Sequence, residues 1–163
     1  MVSPCADAMR RRQVTDSRVL LERDDAAGIA RVTINNPERR NAYDAAMRKQ
    51  LGAFLDEVAD DDRVKVVVLR GEGGIFSTGA DMANAYSWYE DADRDGEDSS
   101  NGRRRRPSQR RRLGVDRRTF AFYHEFMGFP KATVAEVRGY ALGGGLELAL
   151  MADIAVVGRD TLI

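Results

Sequence analysis

Gly139-Tyr140-Ala141-Leu142-Gly143-Gly144-Gly145-Leu146-Glu147-Leu148-Ala149-Leu150-Met151-Ala152-Asp153 is the stretch on which the reading of this chain turns. Consecutive glycines let the backbone approach a ligand closely and leave N–H groups uncovered. A helical apolar pattern follows at once, so those N–H groups are expected at a helix N-terminus, an end that favours developing negative charge. Glu147 falls in the first turn of that helix, within reach of whatever docks there. Bare backbone, a helix start and one carboxylate together suit an oxyanion site with an acid or base beside it. A second reading stands beside this one. Gly143 to Gly145 would also let a helix pack closely on a sheet, and Glu147 would also serve as a helix-dipole partner worth about 0.3–1 kcal/mol.

Outward from this run the pattern alternates. Ala132 to Val137 before it and Ile154 to Val157 after it read as strands, the second of them buried. Val64 to Leu69 is a nearly continuous β-branched run, which predicts a strand buried on both faces. Between Tyr43 and Val58 the apolar residues Met47, Leu51, Phe54, Leu55 and Val58 recur at helical spacing. Arg18 to Arg23 and Ile29 to Ile34 flank the turn Asp24 to Gly28 and predict a hairpin. Gly71, Gly73 and Gly74 mark a loop, and Ala80 to Tyr89 looks helical. Strands alternating with helices imply β-α-β units and an α/β architecture.

Composition narrows the class. With 163 residues and 43% hydrophobic content the chain suits one globular domain. Its 26 basic and 26 acidic residues cancel, which argues against nucleic acid as the main partner. Cys5 has no second cysteine to pair with, so a reducing cytoplasm is the expected compartment and the thiol reads as a bystander. No apolar run approaches the roughly 20 residues of a membrane span. Residues 1–16 read as a disordered leader and 17–163 as the domain.

A charged insertion, 90–118, interrupts the domain; it begins acidic and turns strongly basic at Arg103 to Arg106 and Arg110 to Arg112. The expectation is a solvated loop; a lure for phosphates or an acidic carrier is the alternative. Aromatic residues that would stack on bases do not interleave it. No metal is expected, since no His/Cys cluster occurs, and no strand leads into a dinucleotide-type GxGxxG. His124 sits in an aromatic helical stripe and reads as core or pocket wall. Trp88 and Tyr89 suit either a pocket wall or ordinary packing. Asp153 reads as a turn or cap residue.

Two segments belong together: Gly74-Ile75-Phe76-Ser77-Thr78-Gly79-Ala80-Asp81-Met82 and the Gly139–Asp153 run. Each places small residues where a strand or loop meets a helix. Facing one another, they would supply the two converging donors needed to hold a thioester oxygen as it becomes an enolate. With Ile34-Asn35-Asn36-Pro37-Glu38-Arg39-Arg40-Asn41-Ala42, they resemble the crotonase family, the enoyl-CoA hydratase/isomerase superfamily. The resemblance spans residues 18–86 and 119–163.

The resemblance implies a crotonase-like spiral of ββα units and assembly as trimers or hexamers. It implies an oxyanion hole from the N–H groups of Ala80 and Gly144, with Gly143 among the residues that bind the CoA substrate. Asp81, Met82 and Ala83 would line the pantetheine channel. Arg39, Arg40 and Ala42 would lie along coenzyme A, the arginines suiting its phosphates. Glu147 would be a catalytic acid/base adding water to a 2-enoyl-CoA thioester. No cofactor is implied beyond coenzyme A as part of the substrate. Double-bond isomerase and thioester hydrolase chemistry are the neighbouring alternatives, and an RNA-binding, partner-binding or oligomerising fragment is the alternative from another class. The family's second catalytic carboxylate and C-terminal helices find no counterpart before Ile163, so the expectation is an incomplete domain.

Overall fold

Apolar residues at alternating positions draw the strands into one five-stranded sheet, ordered β1-β2-β3-β4-β5. A computed structural model describes residues 17–84, Trp88 and residues 108–163. Strands β1 (Val19–Asp24) and β2 (Ile29–Ile34) form the expected antiparallel hairpin, pairing Val19 with Ile34. Helix α1 (Ala45–Ala59) then leads to β3 (Val66–Gly71), parallel to β2 with Val32 opposite Leu69. Helix α2 (Gln109–Met127) leads to β4 (Ala132–Val137), and α3 (Gly144–Met151) leads to β5 (Ile154–Val157); both strands run parallel to their inner neighbours. An opening ββα unit followed by βα units is the α/β architecture that the sequence implies.

Local chemistry explains the helices. The Asp44 carboxylate accepts the Met47 N–H at 2.9 Å and so caps α1. A cap of this kind is worth about 1 kcal/mol. Met47, Leu51, Leu55 and Val58 form the buried stripe that seats α1 on the sheet. Ser108 caps α2 by accepting from Arg111 N–H at 3.3 Å, and Val115, Phe122, Tyr123 and Phe126 form its buried stripe. Leu148 and Ala149 of α3 join this core with Val67, Leu69, Ala135 and Val137 of the sheet.

Several sequence expectations are corrected here. Strand β3 is not buried on both faces: Val67 and Leu69 are inside, while Val66 and Val68 are half-buried. Strand β5 is exposed along its length, with Ile154 at 56% and Val156 at 57%, because no described element covers it. Residues 109–118 are helical and not loop, since the arginines are good helix formers and Val115 belongs to the stripe that Phe122 and Phe126 continue. His124 lies on the solvent side of α2, neither core nor wall. Of the helix expected over Ala80 to Tyr89, the described residues show a 3-10 turn at Met82–Asn84 and a helical Trp88. The leader 1–16, Tyr89 and the first part of the charged insertion lie outside them.

Candidate active site

The site begins with a buried asparagine. Asn41 has a positive φ of 56°, which asparagine tolerates better than most residues. Its side-chain Oδ1 accepts from Asn36 N–H at 2.8 Å, and its side-chain Nδ2 donates to the backbone carbonyls of Glu72 at 2.8 Å and Ile75 at 2.5 Å. The Ser77 hydroxyl donates back to the Asn41 carbonyl at 2.8 Å. Asn41 therefore fastens the Asn36–Ala42 segment to the glycine loop that leads into Ala80.

The next residue but one sets the direction of the Ala80 amide. Tyr43 N–H donates to Gly79 carbonyl at 2.9 Å, and Asp81 N–H donates to Tyr43 carbonyl at 2.9 Å. Backbone groups alternate in an extended segment, so the intervening Ala80 N–H points away from Tyr43. The segment Gly139–Gly144 lies on that opposite side. Ser77 N–H donates to Tyr140 carbonyl at 2.9 Å, and Leu142 N–H donates to Ser77 carbonyl at 3.0 Å. The two glycine junctions are consequently in contact: a Cβ on Gly79 would stand 2.7 Å from the Gly144 nitrogen.

Gly144 opens α3, where amides have no helical partner. Neither the Ala80 nor the Gly144 N–H donates to an acceptor among the described residues. Ala80 is exposed and Gly144 half-buried. The close-packing reading of the glycine run holds at Gly145. Gly145 is buried against Ser77, whose carbonyl carbon would lie 2.9 Å from a Cβ there. Gly144 is the junction residue, and Gly143 caps the helix in the left-handed half of backbone space, at φ 50°.

Behind Gly144 lies a polar cluster that the sequence reading did not assemble. The Tyr43 and Tyr123 hydroxyls are 2.7 Å apart and buried. Both press on Gly144: the Tyr123 oxygen would be 2.6 Å from a Cβ at that position, and the Tyr43 oxygen closer still. Trp88 stands edge-on to Tyr43 with ring centroids 6.3 Å apart. The Arg48 guanidinium lies 4.6 Å above the Trp88 ring and hydrogen-bonds the Thr119 hydroxyl. Glu147 is exposed on the first turn of α3 and faces the two phenols. Burial, then Tyr123 and the Glu147 charge, push the Tyr43 phenol far above its ordinary range. Burial also pushes Tyr123 up, to about 12; the Tyr43 hydrogen bond opposes this, and the nearby Glu147 charge adds to it.

The residues expected along coenzyme A divide into two groups. Arg39 donates to both oxygens of Asp81, at 3.1 and 3.2 Å, and Asp81 also accepts the Ala83 N–H at 3.1 Å. Asp81 is 5% exposed, so this pair holds the loop together. Ala42 is buried as well, and its carbonyl is taken by the Asn36 side chain at 2.7 Å. Arg40, Met82, Ala83 and Gly143 form the exposed group. Arg40 ion-pairs with no carboxylate among the described residues and lies 5.7 Å from the Tyr140 ring centroid.

Asp153 has the structural role expected of it. Its carboxylate accepts the Thr133 N–H and hydroxyl, each at 2.8 Å, and these bonds hold the carboxyl below its ordinary range. Among the described residues no group of His, Cys, Asp and Glu could hold a metal ion, and no helix is long and apolar enough to cross a membrane.

Comparison with known proteins gives a consistent picture. A family model described as Enoyl-CoA hydratase/isomerase matches residues 24–163. The chain is 32% identical over 138 residues to a Bos taurus protein named enoyl-CoA hydratase domain-containing protein 2, mitochondrial, covering 83% of this chain and 40% of that one. Among solved structures, an enoyl-CoA hydratase/isomerase from Xanthobacter autotrophicus Py2 superposes with a TM-score of 0.73 at 33% identity, over 90% of this chain and 48% of that one. Pseudomonas aeruginosa AtuE superposes with a TM-score of 0.72 at 31% identity, over 89% of this chain and 49% of that one. The chain spans about half the length of the curated relatives it matches.

Proposed function

The chain belongs to the enoyl-CoA hydratase/isomerase family, and from that premise we propose that the protein hydrates a 2-enoyl-CoA thioester. The Ala80 and Gly144 N–H groups donate to the thioester oxygen. Negative charge grows on that oxygen as water adds at C3, so donors already in place stabilise the enolate more than the ground state. Glu147, three residues into the helix that Gly144 opens, is the acid/base: it takes a proton from the water whose oxygen bonds C3, and a proton is then delivered to C2 of the enolate, which leaves the 3-hydroxyacyl thioester. Arg40, with Met82 and Ala83 beside the same loop, meets the coenzyme A portion, guanidinium to phosphate. Coenzyme A enters as part of the substrate, and the full-length protein assembles as a trimer or hexamer.

The observation that supports this reading best is the contact of the two junctions. Two amides without acceptors among the described residues lie on segments in contact, and a carboxylate stands one helical turn from one of them.

The test is Glu147→Gln in the full-length protein, assayed by hydration of a short 2-enoyl-CoA. Turnover should fall about 10²- to 10⁴-fold, the usual worth of a positioned acid or base, while binding of the CoA ester survives. Unchanged turnover would remove Glu147 from the mechanism.

A further inference from the structure

Helix α2 carries a second line of large apolar residues, separate from its buried stripe of Val115, Phe122, Tyr123 and Phe126. Leu113, Phe120 and Met127 stand 60%, 59% and 56% exposed. They recur every seven residues, which is about two turns of helix, so they fall in one line. A basic line runs beside it. Arg110, Arg117 and His124 each precede one of these residues by three positions and are exposed, and residues three or four apart are neighbours on a helix surface. Neither Arg110 nor Arg117 ion-pairs with a carboxylate among the described residues. Helix α1 has no such face: its exposed positions include Ala46, Lys49, Ala53, Asp56 and Glu57, and none of its large apolar residues is exposed. Single apolar side chains scattered on a surface are ordinary; a regular line flanked by cations without partners is not scattered.

We propose that this outer face of α2 is a docking site for an amphipathic helix with an acidic flank, carried by a partner protein. An apolar line of seven-residue period is the seam along which a partner helix packs. The arginines beside it match carboxylates on that helix, and charges at the rim of an interface select the partner and speed encounter more than they add affinity. Other occupants fit less well. A bilayer takes a broad apolar arc, about 100° or wider. This line is one residue wide, and the exposed Asp116 adjoins it between Leu113 and Phe120. A second copy of the chain, paired about a two-fold axis at Phe120, would lay one basic line against the other. The arginines at the end of the charged insertion thus have a use that their sequence does not show: the helix arranges them along an apolar seam.

The probe is a fluorescent helical peptide of three heptads, with leucine at its core positions and glutamate along its flanks. It is added to the full-length protein and followed by anisotropy. Binding is expected, and it should weaken as salt rises. Phe120→Ser should cost about tenfold or more in affinity, the worth of one buried aromatic anchor. Arg110→Glu combined with Arg117→Glu should lose the glutamate peptide and bind the same peptide with lysine flanks instead, an exchange that also shows the variant to be folded. No binding of the glutamate peptide, or binding that these variants leave unchanged, overturns the inference. Binding of phosphatidylserine vesicles in place of the peptide would make this a membrane face. A parent protein whose mass in solution halves on Phe120→Ser would make it a contact between copies. Either result overturns the inference as well. None of these readouts uses activity, so the proposed function stands or falls separately.

Discussion

Gly79 and Gly144 touch through their backbones, with a Cβ on Gly79 falling 2.7 Å from the Gly144 nitrogen. Residues far apart in the chain thus set two amides on neighbouring segments, and the contact leaves no space for a side chain at Gly79. Gly79 also holds a φ of +84°, which L side chains adopt at a cost. Gly79→Ala should therefore push the two segments apart. Losing the alignment of a single donor costs about 10²- to 10³-fold in turnover, and a loss of that size in kcat with an intact CoA-ester affinity is expected. A stopped assay and a binding titration on one preparation check both.

Gly145 predicts a stability effect. A methyl group there would run into the Ser77 carbonyl, which is backbone and already accepts from Leu142. Overpacking of this kind costs about 1–3 kcal/mol. Gly145→Ala should lower the urea midpoint by a corresponding amount, and a midpoint equal to that of the parent would contradict the close packing of α3 on this loop.

Asp44 predicts a pH dependence. Burial pushes its carboxyl up, but the Met47 N–H and the Arg18 guanidinium outweigh this, and the net direction is down from the ordinary value of 3.8. A carboxyl lowered by folding contributes stability above its unfolded pKa and loses it as pH falls through the folded one. The contribution is therefore complete at neutral pH, begins to fall below about pH 4, near the ordinary carboxylate value, and is gone once pH has dropped through the lowered folded value. Asp44→Ala should cost about 1 kcal/mol at pH 7. Its unfolding curve should converge with the parent's in acid, measured by denaturant melts at several pH values.

Arg39 and Arg40 separate by their partners. Arg39 is committed to the buried Asp81, and Arg40 has no carboxylate among the described residues. Arg40→Ala should raise KM for a CoA ester, with a salt dependence weaker than the parent's. Arg39→Ala should act first on stability, because it leaves the Asp81 carboxylate buried without its cation. Equal KM effects from both, with unchanged stability, would contradict this division.

Much of the fold is legible because it rests on short-range pattern. The β-branched strands, the α1 stripe from Met47 to Val58 and the glycine run before α3 each carry their signal within a few residues. Elements set by distant partners are harder to read. Residues 109–118 look like loop because arginine gives no periodic signal; the buried Val115 and the Ser108 cap make them helix. The full burial expected of β3 and β5 fails because burial depends on what lies above a strand, and not on its own residues. Within the candidate site, Glu147, Ala80 and Gly144 come from local motifs. The Tyr43–Tyr123 pair joins residues 80 apart, and the Arg39–Asp81 pair residues 42 apart. Neither separation has a pattern of its own, since a tyrosine in an apolar stripe reads as packing until its partner is known.

The most direct measurement is a crystal structure of the full-length protein with a bound acyl-CoA thioester. The thioester oxygen is predicted to lie about 2.7–3.1 Å from both the Ala80 and the Gly144 nitrogen, with the acyl C3 side toward Glu147. A thioester oxygen bound away from these two amides, or bridged to other donors, would contradict the account.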